Sequence, residues 1–264
     1  MTDENAPKHA LVTGAGKRVG AAIARALAKA GWGVTVHYRT ARDEADALGR
    51  SIREIGVPFR TYCADFSRAD EAEGMIAAIE ADGPPLSLLV NNAAIFSYDE
   101  AGAVTAESLA DHFTVNAIAP ILLAQAFGKA RKQRGEEGVV VNLIDNKIFA
   151  PNADYFSYSV AKFALAGATK MLAMALAPEV RVCGVAPAVL LVSGEQTEDD
   201  FSRTNAINPL KAATALDDVC RAVLFLAETR SISGQIIAVD GGQSLMNLPR
   251  DIAFLDEAII KRFQ

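Results

Sequence analysis

Cysteine is scarce in this chain of 264 residues: Cys63, Cys183 and Cys220 lie far apart, each among apolar neighbours. An odd count of scattered thiols without metal-type spacing fits a reducing compartment and predicts three buried structural cysteines. Histidine is equally rare, and His9, His37 and His112 form no local cluster, so histidine catalysis and a zinc site have no support. Excess positive charge is missing as well. The net charge of −6 argues against nucleic acid as a partner, because binding phosphates needs a basic surface. No run reaches 18 uninterrupted apolar residues, so no membrane-spanning helix is expected. The opening "MTDENAPKHA" is acidic and polar, unlike a signal peptide. Together these absences predict a soluble, cytoplasmic protein acting on a small molecule.

What is present is an apolar majority, 51% of residues against 22% charged, enough for one large α/β domain over residues 1–264. Strand-like runs fall at 9–14, 33–38, 59–65, 86–92, 138–144, 180–186 and 234–240, several nearly continuous in apolar residues. Such runs suit a parallel sheet covered on both faces. Helical patterns lie between them at 18–30, 43–55, 68–81, 106–131, 154–177 and 214–228. Their alternation predicts a doubly wound seven-stranded sheet. Two segments break the rhythm. Residues 188–210 form a connection long enough to be a substrate lid, with Leu190 at its start as a candidate substrate contact. Beyond the last strand, the 243–264 tail places Ile252, Leu255, Ile259 and Phe263 on one helical face, which predicts docking on the body or on a neighbouring subunit.

The stretch "LVTGAGKRVGAAIARALAKAG" joins the first strand to the first helix through Gly14, Gly16 and Gly20. Glycines here allow a tight turn and bring backbone N–H groups close to a pyrophosphate at the helix N-terminus. The spacing is one residue longer than G-x-G-x-x-G, and its place at the start of a βαβ unit is what points to a dinucleotide. An NAD site would end the second strand in an acidic residue. This strand ends "VHYRT", with Arg39 between Tyr38 and Thr40, and Arg18 stands in the glycine turn between Lys17 and Val19. Two guanidinium groups at the adenosine end suit a 2′-phosphate, hence NADPH.

Tyr158 and Lys162 stand four residues apart and share one helix face. A lysine ammonium beside a phenol is expected to lower its pKa for proton exchange near neutral pH, and can also hold nicotinamide ribose hydroxyls. Asp145 precedes the tyrosine by 13 residues, at the end of the fifth strand. A hydroxyl there would donate to a carbonyl oxygen. An ionised carboxylate cannot donate, but it can accept from ring N–H or amino groups, or share a proton with Tyr158. That pairing suits reduction of a C=N bond in a nitrogen heterocycle.

The segments "TGAGKRVG", "ADFS", "NNAA", "VNAIAP", "YSVAK" and "VDGGQSL", in this order over almost the whole chain, resemble the short-chain dehydrogenase/reductase family. The resemblance implies a Rossmann-type fold and a dimer or homotetramer. It implies that Asp65 and Phe66 border the adenine, Asn91 and Ala93 the adenosine ribose, and Pro187 the nicotinamide, and that Asn116 supports a water relay to Lys162. Asp145 in place of the family's usual serine and Arg18 in place of glycine are similar to the pteridine reductase and dihydromonapterin reductase branch, which implies a pterin substrate held against Phe96. Ala94 departs from that branch, where serine is common. A short-chain ketone reductase would need another donor than Asp145, such as Ser157 or Ser159. A non-catalytic NADP sensor would need neither Tyr158 nor Lys162.

Overall fold

The computed structural model of the chain describes residues 8–190, 201, 204–255, 258 and 260. The apolar runs form seven strands: β1 His9–Val12, β2 Gly33–Tyr38, β3 Phe59–Cys63, β4 Leu88–Asn91, β5 Gly138–Leu143, β6 Val180–Pro187 and β7 Ile236–Val239. They make one sheet in the order β3-β2-β1-β4-β5-β6-β7, with every ladder parallel. β1, β2 and β4 are buried along their whole length, since helices cover both faces. Strand order reverses between β1 and β4, which opens a crevice at the carboxyl ends of the strands.

Helices α1 Arg18–Lys29, α2 Arg42–Ile55 and α7 Leu216–Glu228 pack Ile23, Leu27, Leu48, Ile52, Val219 and Val223 on one face of the sheet. The other face is covered by α3 Ala69–Ala81, α5 Ala119–Arg134 and α6 Phe156–Ala175, with Met75, Ile79, Leu123 and Phe127 in its core. Between α3 and α5 the fully buried Arg131 pairs with Glu80 at 3.0 Å and Glu136 at 2.6 Å, and Arg134 reaches Glu80 from the rim.

Three expectations need revision. The single helix over 106–131 is two helices, α4 Ala106–Phe113 and α5, joined by a π-helical turn at Thr114–Ile118. The whole run Ala106–Arg134 is long and apolar enough to cross a membrane, but half of its apolar window is buried in the fold. Cys63 is exposed, because β3 is an edge strand paired only with β2 and its outer residues face solvent; Cys183 and Cys220 are buried. The tail does not present a continuous helix from Ile252: Ile252–Phe254 is one 3₁₀ turn capped by Asp251, and Leu255 is extended. The tail nevertheless docks on the body, with Ile252, Leu255 and Ile260 clustered against Ile207 and Leu248. Ile259, Phe263 and residues 191–200 of the expected lid lie outside the described residues.

Candidate active site

At the exit of β1 the chain turns through Gly14 (φ 60°), where a Cβ would stand 2.7 Å from Ala93 Cα, so only glycine lets the β1 and β4 exits touch. Asn92 fastens this contact, its Nδ2 donating to Thr13 O at 2.8 Å and Gly14 O at 3.1 Å. From the other side the Gly14 N–H donates to His37 Nδ1 at 3.0 Å, and His37 Nε2 donates to Ala64 O at 3.0 Å. These two bonds together require the neutral imidazole. The first turn of α1 has neither a side-chain cap nor an acidic residue, so its positive end is presented to the crevice together with Lys17 and Arg18.

Burial pushes both His37 and His9 down to about 4. Both values lie below the unfolded histidine value, so the unfolded chain takes up protons that the native state refuses. Their contribution to stability is therefore complete above about pH 6.5 and is lost as pH falls toward 4. Urea unfolding at pH 5 is expected to show stability lower than at pH 7 by about 2 kcal/mol from His37, and by less from the more hydrated His9. Equal stability at the two values would contradict this.

Gly14, Gly16, Lys17, Arg18, Val19, Gly20, Tyr38, Arg39, Thr40, Asp65, Phe66 and Ala93 line one cleft of about 630 Å³, which continues to Phe96, Asp145, Tyr158, Pro187 and Leu190. Asp65 comes within 4.0 Å of Arg39, a carboxylate that the sequence reading of the second strand did not place beside it. Hydrogen bonding to Ser67 is the main cause holding its carboxyl below the usual range. Three candidates lie off the cleft. Asn91 points into the sheet, donating to Asn142 Oδ1 at 2.8 Å and Pro120 O at 3.3 Å, and its neighbour Asn92 lines the cleft instead. Asn116 spends both ends of its amide on Ile95, accepting from the N–H at 2.8 Å and donating to the carbonyl at 2.9 Å. Lys162 lies beneath Tyr158, 5.6 Å from its ring centroid, and its Nζ donates to Leu143 O at 2.7 Å.

Asp145 stands just past β5 and caps the Asn146–Ile148 turn, its Oδ1 accepting from the Lys147 N–H at 2.9 Å. Tyr158 Oη donates to its Oδ2 at 3.0 Å. Burial raises the Asp145 carboxyl above its ordinary value, against the pull of Lys147. Burial and the Asp145 charge together raise the Tyr158 phenol well above the ordinary phenol value, the reverse of the sequence expectation. Lys162 is itself pushed down to about 8 by burial. Ser157 and Ser159 are engaged elsewhere, with Asp99 and with Asp154 O respectively.

The far wall of the cleft is aromatic. Phe96 stacks on Tyr155 with centroids 4.1 Å apart and meets Tyr158 edge-on at 4.8 Å. Behind them Tyr98 and Phe254 close around Tyr155. Sequence reasoning missed Tyr155, Lys147, Arg250, Asp251 and Phe254. Tyr155 could have been flagged by its place three residues before Tyr158. The tail residues carried no signal, since Arg250 meets Asp154 across 96 residues of chain.

A parallel doubly wound sheet with a glycine turn at its switch point and an Asp–Tyr–Lys set facing it defines a dinucleotide-dependent oxidoreductase. The family model described as enoyl-(acyl carrier protein) reductase matches residues 14–244. The crystal structure of FolM alternative dihydrofolate reductase 1 from Brucella suis in complex with NADP is 38% identical, with a TM-score of 0.86, covering 91% of this chain and 96% of that one. D-erythrulose reductase of Gallus gallus is 35% identical over 89% of this chain and 95% of its own length. Pteridine reductase 1 of Leishmania tarentolae is 31% identical over 93% and 99%. The chain belongs to the short-chain dehydrogenase/reductase family.

Proposed function

We propose that the chain is an NADPH-dependent reductase of the C=N bond of a dihydropterin or related pteridine, dihydrofolate included. The observation that carries this reading is the Tyr158 Oη–Asp145 Oδ2 hydrogen bond at the exit of β5. Burial favours the neutral Asp145 carboxyl, which, unlike a carboxylate, can donate. The similarity to FolM in complex with NADP and to pteridine reductase 1 supports both substrate class and cofactor.

The cleft fits the cofactor: uncapped N–H groups of α1 suit a pyrophosphate, and Arg18 and Arg39 suit a 2′-phosphate. When bound, NADPH supplies the hydride. Tyr38, Thr40, Asp65 and Phe66 would border the adenosine, and Lys162, buried off the cleft beneath Tyr158 with Nζ on Leu143 O, would need to turn toward the cleft to hold ribose hydroxyls. Phe96, backed by Tyr155, is the platform for the heterocycle, and Leu190 flanks it. Asp145 and Tyr158 deliver the proton to ring nitrogen while the adjacent carbon gains the hydride. Asn116 acts indirectly, by fixing the Ile95 backbone. The exposed Phe163, Met171 and Met174 on one face of α6 support assembly into an oligomer, in line with the homotetramer that the family resemblance implies.

A ketone reductase is the second reading, favoured by the similarity to D-erythrulose reductase. Purified protein is to be assayed for NADPH oxidation with a 7,8-dihydropterin, with D-erythrulose and an acetoacetyl-type ketone, and with NADH as control. Turnover of the pterin, with NADPH preferred by about tenfold or more, is expected. Turnover of a ketone alone would sink the C=N reading.

A further inference from the structure

The catalytic loop is tied to the tail by charged groups that the proposed chemistry does not itself use. Lys147 follows Asp145 by two residues, and its ammonium is nearly buried. It meets Asp251 Oδ2 at 2.8 Å, donates to Asn152 Oδ1 at 3.3 Å and Asp154 O at 3.1 Å, and lies 4.9 Å from the Tyr155 ring centroid. Asp251 is held in turn: its N–H donates to Asp154 Oδ2 at 2.7 Å, and its Oδ1 accepts from the Ala253 N–H at 3.0 Å. Next to it Arg250 grips Asp154 with two nitrogens, at 2.6 to 2.9 Å. A buried lysine paired across the cleft to a tail aspartate is costly to assemble, and replacing the pair with apolar groups would stabilise a fold as well or better. Both side chains nevertheless line the same cleft as Asp145 and Tyr158.

We propose that Lys147 and Asp251 are positioning residues, an ion pair through which the C-terminal segment sets the proton balance of the Asp145–Tyr158 pair. The inference rests on the reading of that pair as the proton donor.

The charges facing Asp145 come from three elements: Lys147 on its own loop, Tyr158 and Lys162 on α6, and Asp251 on the tail. Lys147 draws Asp145 toward its ionised form, and Asp251 opposes it by favouring the proton on both Asp145 and Tyr158. The Asp154–Arg250 pair is internally neutral and anchors the tail backbone, which keeps Asp251 in place. Of the pair, Lys147 acts on Asp145 the more strongly and Asp251 offsets part of that pull, so losing either one leaves the other's effect uncompensated.

The proposal therefore makes predictions of opposite sign. Lys147→Gln removes a cation, so Asp145 should hold its proton to higher pH. Asp251→Asn removes an anion, so Asp145 should release it at lower pH. Both replacements keep polar atoms able to bond the partner, and each alone is a sufficient test should the other fail to fold. The readout is a carbon-13 NMR titration of the Asp145 carboxyl, assigned through Asp145→Asn. It needs no substrate, so failure of the pterin reading and failure of this inference are separable. The titration midpoint is expected to move up by about one pH unit in Lys147→Gln and down, by a smaller amount, in Asp251→Asn. Where the pterin is turned over, the alkaline limb of kcat/KM should move in the same two directions. Shifts of the same sign in both variants, or none in either folded variant, would overturn the proposal.

Discussion

Asp145→Ser is expected to lower kcat for the dihydropterin by about 10²–10⁴-fold, while NADPH affinity changes by no more than a few fold. The serine would still fit locally, because its Oγ can accept the Lys147 N–H that Asp145 Oδ1 now accepts, preserving the cap on the Asn146–Ile148 turn. What is lost is the second oxygen, which accepts the Tyr158 hydroxyl at 3.0 Å, and with it a carboxyl whose proton affinity burial raises above the ordinary value. The nucleotide end is built from separate elements, the Gly14 turn and the ends of β2 and β3, so its affinity should hold. A hydroxyl at position 145 is a donor to carbonyl oxygen, so any ketone turnover should rise relative to pterin turnover. Single-turnover kinetics and NADPH fluorescence titration separate the two effects. A variant with unchanged pterin kcat would remove Asp145 from the chemistry.

Arg131→Ala is expected to cost about 3–5 kcal/mol of stability and to lower the unfolding midpoint by roughly 10 °C. Arg131 is fully buried between α3 and α5, and its removal takes the buried cation from Glu80, itself 6% exposed, and leaves it Arg134 at the rim. Glu80 Oε1 also accepts the Leu86 N–H at 2.8 Å, so the disturbance reaches the loop that leads into β4. Arg134→Ala, at the rim of the same cluster, is the control and should cost about 1 kcal/mol or less. Equal and small losses in both variants, read by thermal and urea unfolding, would show that the buried network contributes little.

Most of the sheet was legible because its central strands are nearly continuous apolar runs, while the half-exposed edge strand β3 reads FRTYC and was placed by the alternation of the elements around it. The ends of α2 and α5 fall within a few residues of the expected ones, and Gly56 and Gly135 close them in the left-handed conformation. The π-helical turn was not legible, since Thr114–Ile118 reads as ordinary helix and its register is set by Asn116 clasping Ile95. The glycine turn, Arg39, Tyr158 and Asp145 could be placed because local sequence sets each one at a strand exit or on a helix face. Their protonation could not, because burial of Tyr158 and Lys162 outweighs the pairing that spacing suggests. The tail's part in the site was hidden for the same reason as any long-range contact: Asp251 and Phe254 acquire neighbours only once α6 and the sheet are assembled.

The central claim, that Asp145 and Tyr158 serve reduction at a C=N bond, is tested most directly by following hydride itself. NADPH deuterated at the transferred position of the nicotinamide is to be incubated with the protein, a 7,8-dihydropterin and a ketone together, and the products analysed by mass and NMR. Deuterium on the pterin carbon that was part of the C=N bond is the predicted result. Deuterium on the carbinol carbon of the ketone product, with the pterin unlabelled, would contradict it.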